Sequence, residues 1–354
     1  MANGTGWKED YLNEEGKKGN GSKDKEKEYF KELSQQIKEV VRHFAVDNGR
    51  PMRGNHAKNL AGFTGAEFRI SSDLSTDLSV GFLIPNKVYE AIIRFSNASS
   101  EVRSDDAKSD LRGVAIRVKT DLGDHDFLMT NANKHHARDA REAMVTIMAG
   151  TLKDTAEDLT PGAGIIDKAV GGIAFYGYLL THLDKETADR IKDTLKEQTA
   201  REVKSLATET YFSRAPIAIG NVTDPEQSVA VKYRLEPVGD KSEQFGESNN
   251  LGQEIKNRLN QKDVRFLFQV QRYIDSQTTP IEDSTVIWPD EWETIAELII
   301  PRRTQTNNEF VDGLAFSPWK TDLTNFRPIG SMNRSRKTVY EASASLENRP
   351  VQPS

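Results

Sequence analysis

The chain has 354 residues, of which 36% are hydrophobic and 29% are charged, and its formal net charge is −6. This composition is typical of a soluble globular protein with a sizeable core. The net negative charge argues against electrostatic binding to nucleic acid or to an anionic membrane. Cysteine is absent, which excludes disulfides, thiolate metal sites and a thiol nucleophile. The first residues lack the apolar core of a signal peptide, so we expect a cytoplasmic protein.

The beginning of the chain divides into a polar tail and a helix. Residues 1–23 are rich in Gly, Asn, Lys and Glu with few apolar anchors, which predicts a disordered tail. Residues 24–46 are predicted to form a helix, because apolar residues recur there at helical spacing, namely Phe30, Leu33, Ile37, Val40, Val41 and Phe44. The polar face mixes both signs of charge, so we expect this helix to pack on the body of the protein rather than on a membrane.

From about Gly54 the apolar residues begin to alternate, as in β-strands. The clearest segments are FTGAEFRI, KVYEAIIRFS, LRGVAIRVK, SVAVKYRLEP and VRFLFQVQRYI. Gly-, Asn- and Asp-rich turns join them instead of regular helices, which favours an antiparallel sheet or barrel over a βαβ fold. The apolar run Ile173–Leu183 is too short to span a bilayer and predicts a buried helix. A longer helix is predicted for residues 183–207, within one α+β domain of residues 24–354.

The sequence has six histidines, so each can be weighed as a site residue. His56 follows Arg53 in a glycine-rich, basic segment, which suits the edge of a site as well as a surface turn. Alternation in AIIRFSNASS puts Arg94 and Ser96 on one face of a strand, where they need partners if buried and otherwise form a solvent-facing edge. Gly113 in the next strand would allow another group to approach the backbone closely.

The stretch HDFLMTNANKHHARDA adds Thr130, Asn131 and three more histidines. A protein-ligated zinc site built from His125, His135 and His136 is disfavoured, because adjacent strand residues point to opposite faces. The motifs GxSxG, GxxxxGK[ST] and GxGxxG are absent, which argues against a serine hydrolase elbow and against the common phosphate-binding loops.

Near the C-terminus, Arg336 and Tyr340 stand one helical turn apart, a spacing at which two exposed side chains can simply pack on each other. Taken in order, the segments from about Pro51 to about Leu346 resemble the catalase family. The landmarks are RGNHAK, IRFSNASSEVRSDDAKSDLRGVAIRVK, DFLMTNANKHHARDA, YFSRAPIAIG, VQRYIDSQTTPIEDSTVIWP and LAFSPWKTDLTNFRPIGSMNRSRKTVYEASA. The chain is similar in particular to short catalase-related members, which include coral-type allene oxide synthase. The resemblance implies a catalase-like antiparallel β-barrel with surrounding helices, and haem b buried between the barrel and the C-terminal helix.

The resemblance also implies roles for the residues on the two faces of the haem. Tyr340 would ligate the iron as a phenolate on the proximal face, with Arg336 donating to it. A phenol ionises only near pH 10 in water, so the ferric ion and the guanidinium must both favour the phenolate. On the distal face, His56 would take a proton from a peroxide and deliver it to the leaving oxygen, while Ser96 holds the imidazole.

Three further residues are implied in the same way. Arg53 and Arg94 match family arginines that neutralise the haem propionates. The family also needs a distal asparagine, for which we choose Asn131 by residue type, although ungapped spacing along the strand would put Thr130 there. Neighbours on a strand face opposite ways, so only one of the two can serve.

The chain departs from the family pattern at several positions. Asn55 precedes the distal histidine where catalases commonly carry Val and allene oxide synthases Thr. A hydrogen-bonding residue there could slow catalase turnover, unless Asn55 points to the backbone of a turn. His135 and His136 replace an aromatic pair, either as polar pocket residues or, as we favour, as a surface exchange. The family's flavodoxin-like C-terminal domain has no counterpart, so we expect the minimal form and a simple homo-oligomer such as a dimer.

Three functions are compatible with this resemblance. The first is catalase or peroxidase activity on hydrogen peroxide. The alternative is isomerase or lyase activity on fatty-acid hydroperoxides, which Asn55 supports slightly. A long apolar channel to the haem would favour the lipid substrate, and a narrow polar channel would favour hydrogen peroxide. A haem-storage protein without activity is disfavoured, because the proximal and distal residues all persist.

Overall fold

The structure is a computed structural model that describes residues 6–44, 53, 55–99, 105–107, 110–158, 165–289 and 291–346. Within these residues the strands are β1 (Asn59–Ile70), β2 (Val88–Asn97), β3 (Arg112–Thr120), β4 (Gly123–Thr130), β5 (Tyr211–Phe212), β6 (Ile217–Gly220), β7 (Ser228–Pro237), β8 (Val264–Arg272), β9 (Glu293–Ile300) and β10 (Phe326–Pro328). The helices are α1 (Lys23–Phe44), α2 (Ala140–Asp158), α3 (Ile165–His182), α4 (Lys185–Thr199), α5 (Leu251–Leu259), α6 (Asn308–Asp312) and α7 (Ser331–Leu346).

The strands form one antiparallel sheet that closes on itself. Their order is β10-β6-β7-β5-β4-β3-β2-β1-β9-β8, and β8 also pairs with β7. The ring therefore contains eight strands, while β6 and β10 extend the sheet outside it. Closure pairs the backbone groups that an open sheet would leave at its edges. The predicted α+β class and antiparallel barrel are confirmed.

Alternation in the strand sequences builds the barrel interior. In β8, Val264, Phe266 and Phe268 are buried while Arg265 is exposed, as the pattern VRFLFQVQRYI predicts. Aromatic rings from different strands meet inside the barrel, and the centroid of Phe268 lies 4.7 Å from that of Phe127 on β4. These contacts form the largest apolar cluster of the described residues and fix which strand faces point inward.

The structure of the N-terminal segment differs from the predicted disordered tail. Residues 6–22 lie against the body of the protein, and Trp7 is only 3% exposed. Glu9 pairs with Arg327 at 2.8 Å and with Arg334 of α7 at 2.7 Å. The tail prediction is therefore wrong for these residues, because a few anchors suffice when their partners come from distant parts of the chain. Residues 1–5 lie outside the described part.

The helical predictions hold in kind but need two corrections. Helix α1 ends at Phe44, and the last residues of the predicted helix 24–46 lie outside the described part. Helix α4 spans only Lys185–Thr199 of the predicted 183–207. Helix α3 covers the apolar run as predicted, but it is not buried on all sides, since Ile173 is 74% exposed. Among the helices described, none has the length and apolarity needed to cross a membrane.

Candidate functional site

A cavity of about 520 Å³ lies between the barrel and the helices α1, α2 and α7. Its volume falls within the range of roughly 300–1,000 Å³ that is common for small-molecule and cofactor sites. The lining includes all but one of the residues that the sequence predicts for the site, namely Arg53, Asn55, His56, Arg94, Ser96, Arg336 and Tyr340. The cavity thus unites residues that are nearly 290 positions apart, as between Arg53 and Tyr340.

His56 is held against the barrel by its backbone and by its ring. Its backbone N–H donates to the carbonyl of Ala98 at 3.1 Å, and its Nδ1 lies 3.1 Å from Oγ of Ser96. Its φ of 56° is in the left-handed region, which few non-glycine residues adopt. A Cβ added at Gly113 would lie 2.5 Å from Nδ1 of His56, so the ring rests where only glycine leaves room.

The imidazole of His56 is kept neutral by its surroundings. Burial lowers its pKa to about 3, and the nearby positive charges of Arg94, Arg214 and Arg336 act in the same direction. A neutral imidazole has one nitrogen that donates and one that accepts. If Nδ1–H donates to Ser96, Nε2 keeps the lone pair that a proton acceptor needs.

The structure decides between Thr130 and Asn131 on geometric grounds. Thr130 lies opposite Gly113 in the β3–β4 ladder and lines the cavity, and its Oγ1 has no hydrogen-bond partner within the described chain. Asn131 does not line the cavity; its Oδ1 accepts from the backbone N–H of Arg112 at 2.7 Å, and its Nδ2 donates to Glu209 at 2.8 Å. Thr130 therefore faces the cavity and Asn131 does not, since neighbours on a strand face opposite ways, and this favours Thr130 over the choice of Asn131 by residue type.

Arg53 and Arg94 form a cationic end of the cavity. Arg94, on β2, is 3% exposed and pairs with Asp312 at 3.0 Å. Arg53 donates to the carbonyl oxygens of Asp312 at 2.8 Å and Leu314 at 2.9 Å. Burial lowers the pKa of Arg53 to about 10 and that of Arg94 to about 9, so both stay cationic at neutral pH. Two guanidinium groups at one end can hold carboxylates of a ligand.

Helix α7 supplies the opposite wall. The guanidinium carbon of Arg336 lies 6.0 Å from the ring centroid of Tyr340, one turn along the helix. Arg336 donates to Oδ1 of Asn333 at 2.9 Å, and Nδ2 of Asn333 donates to the carbonyl of Pro216 at 2.7 Å. Both Arg336 and Tyr340 are half-buried on the cavity wall, so exposed surface packing does not explain their spacing.

His135 and His136 lie in the cavity wall, which overturns the favoured interpretation of a surface exchange. Their ring centroids are 4.2 Å apart, and burial lowers the pKa of both, for His136 to about 3. His125 lies elsewhere, 2.6 Å from the hydroxyl of Thr321. In the described ranges, no group of three His, Cys, Asp or Glu side chains could hold a metal ion.

The sequence analysis missed two features of the cavity. Arg214 lines it from the loop after β5, although the sequence marks this residue only as part of the landmark YFSRAPIAIG. The second feature is an apolar extension between the helices α1 and α2. This extension is lined by Leu33, Ile37, Val40, Met144 and Ile147. The helical spacing of the α1 residues shows an apolar face, but not whether a helix or a cavity covers it.

Comparison with known proteins agrees with this architecture. The Catalase family model matches residues 32–160, a span that contains His56, Ser96 and Thr130. Over these residues the chain is similar to the catalase family. Among curated members, "Catalase easC" of Arthroderma otae is 32% identical over 94 residues, and "Catalase easC" of Arthroderma benhamiae is 31% identical over the same length. The match covers 26% of this chain and 19% of those relatives.

Solved structures extend the likeness to most of the chain. A fungal catalase crystal structure superposes with a TM-score of 0.68 at 17% identity, covering 88% of this chain and 61% of that one. A bacterial catalase gives 0.64 at 19% identity over 90% of this chain and 64% of its own. Catalase A from Saccharomyces cerevisiae gives 0.64 at 17% identity. The chain therefore has the catalase fold over most of its length.

Proposed function

We propose that the protein binds haem in this cavity, with Tyr340 as the axial ligand of the iron, and that it processes peroxides. The observation that carries the proposal is the meeting of two separate groups in one cavity. Tyr340 and Arg336 stand on α7, and His56 with Ser96 stands on the barrel. Bound haem would supply the iron and porphyrin redox chemistry by which an O–O bond is cleaved.

The lining of the cavity fits an anionic, largely apolar cofactor. Four arginines line it, Arg53, Arg94, Arg214 and Arg336, against one carboxylate, Asp110, among the described residues. Haem carries two propionates, which suit the cationic end formed by Arg53 and Arg94. Apolar side chains for the porphyrin faces come from the barrel and from α7, namely Val114, Leu128, Met129, Met332 and Val339.

The distal residues are arranged to move a proton. His56 has a neutral imidazole at neutral pH, so it can accept a proton from a peroxide and return it to the leaving oxygen. Ser96 fixes the ring through Nδ1. The hydroxyl of Thr130 on the same wall has no partner among the described residues, so it can donate to or accept from a peroxide oxygen. Asn55 is also on the wall, where it can touch the substrate.

A second candidate substrate is favoured by the apolar extension. Hydrogen peroxide needs no such space, whereas the chain of a fatty-acid hydroperoxide would lie well between Leu33 and Ile37 of α1 and Met144 of α2. The sequence analysis names a long apolar channel as the feature that would favour the allene oxide synthase type of reaction, and the apolar lining here supports that alternative. Rearrangement of a lipid hydroperoxide is therefore the alternative to catalase or peroxidase activity on hydrogen peroxide.

One experiment tests haem binding and substrate together. We would reconstitute the purified protein with haem b and compare oxygen release from hydrogen peroxide with loss of diene absorbance from a polyunsaturated fatty-acid hydroperoxide. Rapid oxygen release with an inert lipid peroxide supports a catalase, and fast diene loss with little oxygen supports the alternative. A protein that binds haem but turns over neither substrate contradicts the proposed activity.

The ligand assignment is tested by Tyr340→Phe. Without the phenolate oxygen, this variant should lose haem or bind it at least tenfold more weakly. Tyr178→Phe on α3, outside the cavity lining, is the matched control and should bind haem normally. An unchanged Soret spectrum in Tyr340→Phe would show that another residue ligates the iron.

A cytoplasmic location and a dimeric state remain predictions. Light scattering after gel filtration tests the dimeric state.

A further inference from the structure

Arg214 is a buried cation without a carboxylate partner among the residues that the structure describes. Its side chain is 7% exposed, and its Nε and Nη1 have no hydrogen-bond partner among the residues that the structure describes. No carboxylate of those residues forms an ion pair with it. A buried charge that is neither paired nor hydrogen-bonded strongly disfavours folding, so such a group is retained only where another requirement overrides stability.

The backbone at Arg214 is also strained. Its φ is 57°, in the left-handed region, which is an outlier for a long side chain. The segment is nevertheless held firmly, because the backbone N–H of Ser213 donates to the carbonyl of Tyr233 at 2.9 Å and the carbonyl of Pro216 accepts from Asn333 at 2.7 Å. Strain that the surroundings maintain in this way is typical of functional positions.

The charge of Arg214 acts on both walls of the cavity, since it adds to burial in lowering the pKa of His56, His135 and His136 and also interacts with Arg336 and Tyr340. Burial and the positive charge of Arg336 lower the pKa of Arg214, and Tyr340 is the group that opposes this shift. Arg214 comes from the barrel side and Arg336 from α7, so cations enter the cavity from two separate elements. Asn333 binds both Arg336 and Pro216, and it thereby fixes the two elements relative to each other.

We propose that Arg214 is a second positioning cation for the proximal ligand, so that two guanidinium groups, from Arg214 and Arg336, face the oxygen of Tyr340 and the anionic cofactor that it holds. The inference rests on the proposed function, since it concerns the same haem site. It adds a residue that the sequence alone does not mark, and it explains why the cavity tolerates an unpaired buried charge. The ligand chemistry is that of an oxygen anion, which a guanidinium binds through charge-assisted hydrogen bonds.

The proposal predicts opposite effects on the free and the haem-bound protein. Arg214→Gln removes the unpaired charge, so the haem-free variant should be at least as stable to heat as the wild type. The same variant should bind haem about tenfold more weakly, in line with the loss of an outer-shell partner of a metal ligand. Its ferric–ferrous midpoint potential should become more negative, because one positive charge near the ferric centre is gone.

Two further variants make the test specific. Arg214→Lys keeps the charge and should recover most of the haem affinity and of the midpoint potential. Arg265→Gln removes one charge from β8, where Arg265 is half exposed and pairs with Glu297, so it should leave haem affinity and potential unchanged. Haem affinity would be measured by titration into the haem-free protein, the potential by spectroelectrochemistry and stability by thermal denaturation.

The outcomes separate this inference from the proposed function. If the wild type binds haem through Tyr340 and Arg214→Gln matches it in affinity and potential, Arg214 has no proximal role. If Arg214→Gln loses thermal stability in the haem-free form or fails to fold, the residue is structural and the inference is wrong. If the wild type does not bind haem at all, the proposed function falls and this inference falls with it.

Discussion

Buried polar groups in the barrel wall and in the cavity wall differ in whether they have hydrogen-bond partners. In the barrel wall, Arg117 of β3 makes two hydrogen bonds of 2.7 Å to the two oxygens of Asp126 of β4, and a third, of 2.6 Å, to the carbonyl of Ala315. On the cavity wall, Thr130, His136 and Arg214 each carry buried polar atoms without a partner in the described chain. The first pattern stabilises a fold, whereas the second leaves hydrogen-bonding capacity for a ligand.

The difference separates polar groups whose hydrogen bonds are complete within the described chain from groups that can still bind a ligand. Both regions are buried, and both contain arginine. Burial alone therefore does not distinguish the two kinds of group, whereas their hydrogen-bond partners do. Substitutions in the barrel wall should lower stability, and substitutions of the unpaired cavity groups should change ligand binding or chemistry while stability stays near its original value.

The largest expected effect on stability is that of Asp126→Asn. This change leaves Arg117 buried without its carboxylate, which should lower the free energy of unfolding by about 3–5 kcal/mol. Glu297→Gln is the control, because its partner Arg265 is half exposed and such pairs contribute at most about 1 kcal/mol. Chemical denaturation measures both. Equal losses in the two variants would remove the contrast between the paired barrel wall and the surface.

The N-terminal segment forms ion pairs with α7, the helix that carries Tyr340. Arg334 of α7 meets Glu9 at 2.7 Å, Glu26 at 2.6 Å and Glu282 at 2.8 Å. Deletion of residues 1–22 removes Glu9 and the buried Trp7, so it should lower the free energy of unfolding by about 3 kcal/mol, as for loss of a buried large side chain. A truncated protein with unchanged stability would show that this segment is dispensable.

Histidines of both regions predict loss of stability in acid. Burial lowers the pKa of His125 in the barrel wall and of His56 and His136 in the cavity to about 3. In the unfolded chain these histidines protonate near pH 6.5. The free energy of unfolding is therefore highest above that pH and decreases as the pH falls towards 3. His125→Gln should reduce the slope of the free energy of unfolding against pH by about 1.4 kcal/mol per pH unit. Stability that stays constant from pH 6.5 to 4 would contradict this.

The smallest expected effect on stability is that of Thr130→Val. Its hydroxyl has no partner in the part of the chain described, so the change should alter the free energy of unfolding by less than about 1 kcal/mol. It should nevertheless slow peroxide turnover of the haem-loaded protein. Asn131→Ala is the matched neighbour, which should lose stability through Glu209 and leave the distal chemistry intact. The reverse result would restore Asn131 as the distal residue.

The sequence predicted much of the fold, because strand alternation is a local signal. The pattern VRFLFQVQRYI anticipated β8, and the turns without helices favoured an antiparallel barrel. The helix predicted for residues 183–207 was too long, since Val203 and Leu206 are buried in a non-helical segment. Apolar spacing shows that residues share a buried face, and it does not show where a helix ends.

By itself the sequence determined the alternating strands, the amphipathic helix α1, the one-turn spacing of Arg336 and Tyr340 and the resemblance to the catalase family. Only the tertiary structure decided that Thr130 rather than Asn131 faces the cavity, that Trp7 of the N-terminal segment is buried, and that Arg214 lines the cavity without a partner among the described residues. The reason is physical. Periodicity and spacing are encoded within a few residues, whereas a partner, or the lack of one, depends on groups that the closed barrel brings together from distant positions.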